Sequence, residues 1–302
     1  MKVCTLIHNP GAGAEKYSKE ELIAKIENLG YECRYSSIKK RGWKDIDPDT
    51  DFLVVAGGDG TVRKVTKRLL NRRMLRKRFP IGLLPLGTAN NISKTLKIEG
   101  EPEEIGKTWT EKNLKKIDIG FIQGLAEPNF FLEGFGQGIF PILIQKMKES
   151  DGKVFSNLQE EIKYSLEVLQ ETLRTYKPEE LQLQIDGQDH SGRYLLAEIM
   201  NIRSIGPNLM LAPDADPGDG ELEVVLVAES HRAEFAKYVQ NKLKGIEDPF
   251  VFNSIKAKSI RMHCENTHIH IDDELIMVDD QLEINIEVFE GQMKFFTALD
   301  KS

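Results

Sequence analysis

The chain has 302 residues, of which 40% are hydrophobic and 29% are charged, and its formal net charge is −7. This length allows two domains or one large domain with an ordinary hydrophobic core. A general nucleic-acid-binding protein would be basic overall, so the acidic balance argues against nucleic acid as a partner. The three cysteines, Cys4, Cys33 and Cys264, form no close pair and favour a reducing cytoplasm. The apolar runs are too short to predict a membrane span or a signal peptide.

The first third of the chain alternates predicted strands and helices. Short apolar runs predict strands, and apolar residues spaced by three or four positions predict helices. In chain order these are a strand at 2–8, a helix at 18–30, strands at 31–37 and 51–56, a helix at 61–76, a strand at 81–87 and a helix from residue 88. Ser18 and Glu21 form a capping box, and Gly30 is a suitable terminator. This order predicts a parallel sheet covered by helices on both faces.

Predicted strands dominate after about residue 115, interrupted by helical patterns within 139–175 and at 231–243. The predicted fold class is therefore α/β, with an N-terminal parallel-sheet domain followed by a C-terminal β-rich domain, an antiparallel sandwich. We expect the domains to span residues 1–124 and 125–302, with a hinge at 124–128. A last strand near 291–299 either stays in the second domain or returns to the first, and the sequence leaves both placements open.

Three glycine-rich segments follow predicted strands of the parallel sheet: NPGAG at 9–13, GGDGT at 57–61 and PLGTANN at 85–91. In an open parallel sheet, ligands bind beyond the carboxyl ends of the strands. The second and third segments run into helices, whose free N–H groups and positive ends favour an anion. A carboxylate at Asp59 makes sense there beside Mg²⁺ or beside the proton of a nucleophile. Together the segments predict a polyphosphate site, although neither a Walker P-loop nor a dinucleotide GxGxxG is present.

These segments resemble those of the diacylglycerol kinase catalytic family, which includes the bacterial soluble lipid kinases and the sphingosine kinases. GGDGT and PLGTANN carry the resemblance, and NPGAG matches the opening loop of the family. APDADPGDGELEVVLV at 212–227 and IDDELI at 271–276 are similar to two later family motifs, so the likeness spans nearly the whole chain. GGDGT also occurs in NAD kinases, whereas the 212–227 segment favours the lipid-kinase branch.

The resemblance implies a cytoplasmic enzyme, peripheral at membranes, that transfers the γ-phosphoryl group of ATP to the hydroxyl of a diacylglycerol-like lipid. It implies an ATP-binding domain at 1–124, a lipid-substrate domain at 125–302, and an active site in the cleft between them. Glu274 matches the catalytic glutamate, the proposed general base, and Asp59 is implied to lie close to the metal or the acceptor hydroxyl. The implied nucleotide-binding residues are Asn9, Ser36, Gly57, Gly58, Asp59, Gly60, Thr61, Gly87 and Thr88. The implied Mg²⁺ site uses Asp219 together with backbone oxygens of Asp216 and Glu221.

Three positions depart from the family pattern: Asn91 and Gln137 stand where many members carry an acid, and Asp273 stands where glycine is usual. The nucleotide loops are intact, which favours an active enzyme. Two alternatives stay open, an NAD kinase-like transferase with a soluble acceptor and a non-catalytic nucleotide- or lipid-binding protein. A homodimer also stays open on the basis of the family.

Two further segments allow more than one interpretation. Residues 63–78 include nine basic residues and no acidic one, which fits attraction to anionic lipid headgroups and a solvated helix face equally well. Residues 263–274 contain three histidines and a cysteine, for which a zinc site is conceivable. Strand spacing puts His268, His270 and Asp272 on one face, and a solvent-facing side of the sheet is the preferred interpretation.

Overall fold

The computed structural model describes residues 1–12, 16–71, 79–127, 129–150, 153, 155–178, 180–246, 252–265, 267–278 and 281–299. The chain forms two compact units, Met1–Ile117 with Gly291–Ser302, and Asp118–Glu290. Strands β5 (Leu114–Gln123) and β18 (Leu282–Phe296) carry the chain from one unit to the other. The segment at 291–299 thus lies in the first unit. The domain boundary expected at 124/125 stays a prediction. By the contacts between residues, the first unit ends at Ile117 and the second begins at Asp118.

The first unit contains a parallel sheet with helices, as predicted. Its further elements are β1 (Lys2–His8), α1 (Lys19–Glu27), β2 (Tyr31–Ser37), β3 (Phe52–Gly57), α2 (Asp59–Asn71), β4 (Ile81–Pro85), α3 (Asn91–Thr95) and α4 (Pro102–Glu111). The strand order is β18–β4–β3–β1–β2, with every neighbouring pair parallel. The direction of strand addition reverses between β1 and β3, and this is the position at which open α/β sheets bind ligands.

Local sequence signals explain most of these elements. Strand β3 is buried at all six positions, as expected for a central strand covered on both faces. Helix α1 is capped by Ser18, which forms the predicted capping box with Glu21. Helix α4 was not predicted. It is anchored by the buried Trp109, whose ring centroid lies 5.8 Å from that of Phe52. Gly82 makes room for this indole, since a methyl group there would lie 2.8 Å from it.

The second unit is rich in antiparallel strands, which confirms the predicted class. Its further elements are β6 (Asn129–Phe131), β7 (Gly134–Gly138), α5 (Ile139–Glu149), α6 (Leu158–Thr175), β8 (Glu180–Ile185), β9 (Gln188–Asp189), β10 (Gly192–Met200), β11 (Ser204–Ile205), β12 (Leu209–Met210), β13 (Leu222–Ala228), α7 (Arg232–Leu243), β14 (Ser254–Ala257), β15 (Ser259–Cys264), β16 (Thr267–Ile271) and β17 (Glu274–Val278). One sheet has the order β17–β16–β7–β10–β13–β14, and the other has the order β6–β5–β18–β15–β8.

Alternate residues of β10 serve two separate cores. Ala197 and Ile199 belong to the apolar cluster between the two sheets. Leu196 and Met200 point the other way, into a cluster with side chains of α5, α6 and α7. The helices therefore cover the outer face of the first sheet, and both faces of β10 are buried. In the described part of the chain, no helix is long and apolar enough to cross a membrane.

Candidate active site

The three glycine-rich segments meet at the carboxyl edge of the parallel sheet. Asn9 joins the first to the second, because its Nδ2 donates to Thr61 Oγ1 at 3.2 Å. Gly57 leaves space for that threonine, since a methyl group there would lie 2.5 Å from Thr61 Oγ1. The second and third segments touch through their backbones: a methyl group on residue 58 would lie 2.9 Å from the Cα of Gly87. Only glycine at both positions permits that approach.

Asp59 is the first residue of α2, and its carboxylate binds the start of α3. Its Oδ2 accepts a hydrogen bond from the Asn91 N–H at 2.9 Å, and its Oδ1 accepts one from the Ile92 N–H at 3.1 Å. These N–H groups have no partner within the helix, so a carboxylate satisfies them. Asp59 therefore holds the third segment against the second. Its predicted contact with a metal or an acceptor hydroxyl stays a prediction.

The third segment turns sharply before α3. The Gly87 N–H donates to Asn90 Oδ1 at 2.9 Å, and Asn90 Nδ2 donates to the Gly87 carbonyl at 2.8 Å. Asn90 has a φ of 52°, which asparagine tolerates better than most residues. Thr88 lies within this turn, and Gly60 lies in the first turn of α2. The structure thus brings the second and third predicted phosphate-binding segments together.

A cavity of about 550 Å³ opens beside Asn9 in the first unit. This volume is in the range of small-molecule sites. Among the described residues that line it, five of eight are basic and none is acidic; the eight are Asn9, Ile38, Lys39, Trp43, Lys44, Lys64, Lys67 and Arg68. The Lys39 ammonium also reaches the first glycine segment, since a methyl group on Gly11 would lie 2.9 Å from Lys39 Nζ. A concave surface lined by one sign of charge attracts an anion.

Only Asn9 among the predicted nucleotide-binding residues lines this cavity. Ser36 lies on β2 opposite Ile7, and the lining residues near that strand end come two and three positions later. None of the five basic residues was predicted to bind the nucleotide, although segment 63–78 was considered as a surface for anionic lipid headgroups. A signal existed for three of them, because Lys64, Lys67 and Arg68 have the i, i+3, i+4 spacing of one helix face. Residues 72–78 of the basic segment lie outside the described residues.

Glu274 begins β17, directly after the two-residue turn Asp272–Asp273, and is exposed. Asp272 has a φ of 52°, whereas Asp273 is not among the described residues with positive φ. Replacing the usual glycine by Asp273 therefore puts no side chain in the left-handed region. The Asp272 carboxylate accepts hydrogen bonds of 2.8–3.2 Å from three successive N–H groups, those of Leu132, Glu133 and Gly134. The turn before Glu274 is thus held by its own first residue.

The sequence favoured a solvent-facing position for His268, His270 and Asp272, and this interpretation is wrong for two of them. His270 and Asp272 are both buried, and the ring of His270 packs against that of Phe140 on α5. Gln137 engages Cys264, whose Sγ lies 3.6 Å from Gln137 Oε1. Across the described ranges, no group of three or more histidine, cysteine, aspartate or glutamate side chains is arranged to hold a metal ion.

The segment predicted to bind Mg²⁺ already holds a cation of the protein. Lys256 Nζ lies 2.7 Å from Asp219 Oδ2 and 3.2 Å from Glu221 Oε2. Hydrogen bonds to Asp219 and then to Glu221 raise the pKa of Lys256 above its usual range, so the side chain stays an ammonium. The Asp216 carbonyl accepts the Asp219 N–H at 3.2 Å. Buried Asp118 fixes the segment by accepting the Gly220 N–H at 2.8 Å.

The contact between Lys256 and Asp219 does not fit a Mg²⁺ ion on the Asp219 carboxylate, because the ammonium and the ion would compete for the same negative charge. We therefore derive no step from a metal ion at Asp216, Asp219 and Glu221. Their assignment as ligands stays a prediction with a direct test.

Gly87→Ala should destabilise the first unit, because the added methyl group overlaps the Gly58 backbone and forces the two segments apart. Overpacking of this kind costs about 1–3 kcal/mol. Denaturant unfolding measures the loss. Gly42→Ala is the matched control, since nothing lies within 4 Å of a methyl group there. Equal stability of the two variants would show that the segments do not depend on their contact.

The thermal midpoint of the wild-type chain should be the same in EDTA and in 10 mM Mg²⁺ if Lys256 is the cation of this segment. Lys256→Met removes the ammonium and should create a weak Mg²⁺ site. With a dissociation constant of about 1 mM, 10 mM Mg²⁺ would stabilise that variant by about 1.4 kcal/mol. Lys258→Met, an exposed change two residues away, is the control. A Mg²⁺-dependent midpoint in the wild type would favour the predicted metal site instead.

Comparison with known proteins covers both parts of the chain. Residues 3–122 match the sequence model of the diacylglycerol kinase catalytic domain, and residues 149–284 match that of the YegS C-terminal NAD kinase beta sandwich-like domain. The chain is 26% identical to the diacylglycerol kinase of Bacillus subtilis over 289 residues, covering 91% of this chain and 90% of the relative. It is 25% identical to that of Staphylococcus carnosus over 310 residues, covering 99% and 96%.

A solved structure from Bacillus anthracis has the same fold, with a TM-score of 0.73 and 23% identity, covering 100% of this chain and 98% of that one. The first match, residues 3–122, contains all three glycine-rich segments. The second match, residues 149–284, contains the turn that precedes Glu274. This chain is a kinase of the diacylglycerol kinase catalytic-domain family.

Proposed function

We propose that this protein transfers the γ-phosphoryl group of ATP to the hydroxyl of a diacylglycerol-like lipid. The basic cavity beside Asn9 is the observation that carries the proposal, because it supplies the charge that a nucleoside triphosphate requires. The acceptor is proposed from the relatives, which are named diacylglycerol kinases and align over most of the chain.

The cavity suits a triphosphate in charge and in place. Its basic residues belong to two parts of the chain. Lys39 and Lys44 follow β2, and α2 carries Lys64, Lys67 and Arg68. Lysine binds phosphate as a flexible point charge and arginine binds it with a planar fork. Ile38 and Trp43 add apolar surface that a nucleotide base can contact. In this proposal the nucleotide enters as its magnesium complex, with the ion a part of the substrate.

The basic residues at the start of segment 63–78 are therefore assigned to the nucleotide rather than to a lipid surface. Lys64, Lys67 and Arg68 line the cavity, so their charge has a local use. Peripheral attachment to a membrane stays a prediction, as does a homodimer.

Phosphoryl transfer needs positioned reactants, neutralised phosphate charge and a base for the acceptor proton. In this proposal the lysines of the cavity neutralise charge, and Asp59 keeps the second and third glycine segments in contact at the carboxyl edge of the sheet. Glu274 takes the proton from the acceptor hydroxyl. Its exposed carboxylate is accessible to an acceptor, and its turn is fixed by the hydrogen bonds of Asp272.

Lys64→Met and Lys67→Met should each weaken ATP binding by about tenfold, because a hydrogen bond to a charged group contributes about 1.5 kcal/mol. Titration calorimetry with ATP measures the effect. Lys107→Met on α4 removes an exposed charge away from the cavity and should change nothing. Unchanged affinity in both cavity variants would exclude this cavity as the nucleotide site.

The reaction is tested with γ-³²P-labelled ATP, a panel of lipids in mixed vesicles, and NAD as a soluble acceptor. We expect labelled phospholipid, with diacylglycerol the preferred acceptor. Glu274→Gln should lower kcat by about 10²–10⁴-fold because the base is lost, while ATP affinity stays unchanged. Glu287→Gln, an exposed change in the same unit, is the control. Label on NAD alone, or ATP binding without turnover, would overturn the proposal.

A further inference from the structure

A buried ion pair crosses three strands of the second unit. His270 on β16 and Glu198 on β10 both stand opposite Gly136 of β7, which lies between them. His270 is 1% exposed and Glu198 is 0% exposed. His270 Nε2 lies 2.9 Å from each oxygen of the Glu198 carboxylate. The two side chains therefore meet over a residue that has no side chain of its own.

Glycine at 136 is what lets this pair form. A methyl group there would overlap the carboxylate of Glu198. The residues two before and two after Glu198, Leu196 and Met200, pack into the apolar cluster beneath the helices. A carboxylate in such a place is unfavourable unless it is paired, and apolar side chains would serve packing as well or better. Packing alone therefore does not explain the pair.

The second nitrogen of His270 points to the turn before Glu274. His270 Nδ1 lies 2.9 Å from the backbone oxygen of Asp272. A carbonyl oxygen only accepts, so Nδ1 carries a proton. Burial alone would lower the pKa of His270, but the Glu198 carboxylate and the Asp272 carbonyl outweigh it and raise that pKa above its usual value. Burial also raises the pKa of Glu198, so His270 Nε2 and the Glu198 carboxylate share one proton, while Nδ1–H donates to the Asp272 carbonyl.

Asp272 is consequently held at three points. Its carboxylate is bound by the N–H groups of residues 132–134, its own N–H donates to the Gly134 carbonyl at 2.8 Å, and its carbonyl is bound by His270. This set of contacts stabilises a left-handed φ at a non-glycine residue, which is otherwise unfavourable. Glu274 follows two residues later, so the direction of its side chain depends on this turn.

We propose that His270 and Glu198 are positioning residues for Glu274. Glu198 orients the imidazole, and the Nδ1–H bond to the Asp272 carbonyl fixes the turn from which the general base projects. The inference rests on the proposed function, which gives Glu274 its role as base.

Two substitutions of His270 separate positioning from simple stability. The amide nitrogen of asparagine can take the place of Nδ1, and that of glutamine can take the place of Nε2. His270→Asn thus keeps a donor for the Asp272 carbonyl, whereas His270→Gln keeps the contact with residue 198. Both are made in a Glu198→Gln background, which avoids a bare buried charge. In Glu198→Gln alone, a neutral His270 still donates from Nδ1, so this variant is the reference.

We expect E198Q/H270Q to lose about 10–100-fold in kcat at saturating ATP and lipid, because a small misplacement of a catalytic group has an effect of this size. E198Q/H270N should stay within about threefold of E198Q. The KM for ATP should be the same in all three. His268→Gln, a histidine-to-glutamine change on the same strand at a partly exposed position, should leave kcat unchanged.

Deuterium uptake over residues 267–278 provides a second readout that does not require activity. It should increase in E198Q/H270Q and not in E198Q/H270N. Equal kcat in the two double variants, or the greater loss and greater uptake in the asparagine variant, would overturn the positioning role while leaving the kinase proposal intact. A wild-type chain that labels no lipid would overturn the proposed function and, with it, the catalytic meaning of the pair.

Discussion

The contact between the backbones of Gly58 and Gly87 is the constraint on which the candidate site of the first unit depends. Two loops can approach this closely only where neither residue carries a side chain. Where they touch, the Asp59 carboxylate reaches the N–H groups at the start of α3. The Asn9 amide separately links the first segment to Thr61 of the second. The three segments become one connected edge. Because Asp59 is also the first residue of α2, this edge fixes where the basic face of that helix lies.

The sequence predicted the structure best where an element follows from a local residue pattern or from the topology of the sheet. The continuous apolar run of β3 and the capping box at Ser18 each predicted the observed element. The meeting of the glycine segments followed from a general property of parallel sheets, whose strands end at the same edge. The cavity did not follow, because it needs residues after β2 to meet residues of α2, and no local pattern encodes that meeting. Helix α4 was missed although it has local signals. Pro102 lies in its first turn, and Glu101 and Glu104 form a capping box.

The wrong interpretation of β16 has a physical cause. Alternation along a strand shows which residues share a face, but it does not show what covers that face. Here α5 covers it, with Phe140 against His270, so a histidine that looked solvated is buried. The sequence also did not predict that Lys256 pairs with Asp219 of the predicted Mg²⁺ segment. The two residues lie 37 positions apart in the chain and meet through the pairing of β13 with β14.

Two of the cation–carboxylate contacts in the second unit differ in what depends on them. Lys256 with Asp219 and Glu221 is partly exposed, and water screens such pairs so that each contributes little to stability. Glu198 and His270 are buried, so solvent does not screen their interaction. The loss of either would leave the other buried without its partner. His270 of this pair also donates to the Asp272 carbonyl, so the loss of the pair would directly alter the turn that precedes Glu274. The direction of that glutamate therefore depends far more on the buried pair than on the exposed one.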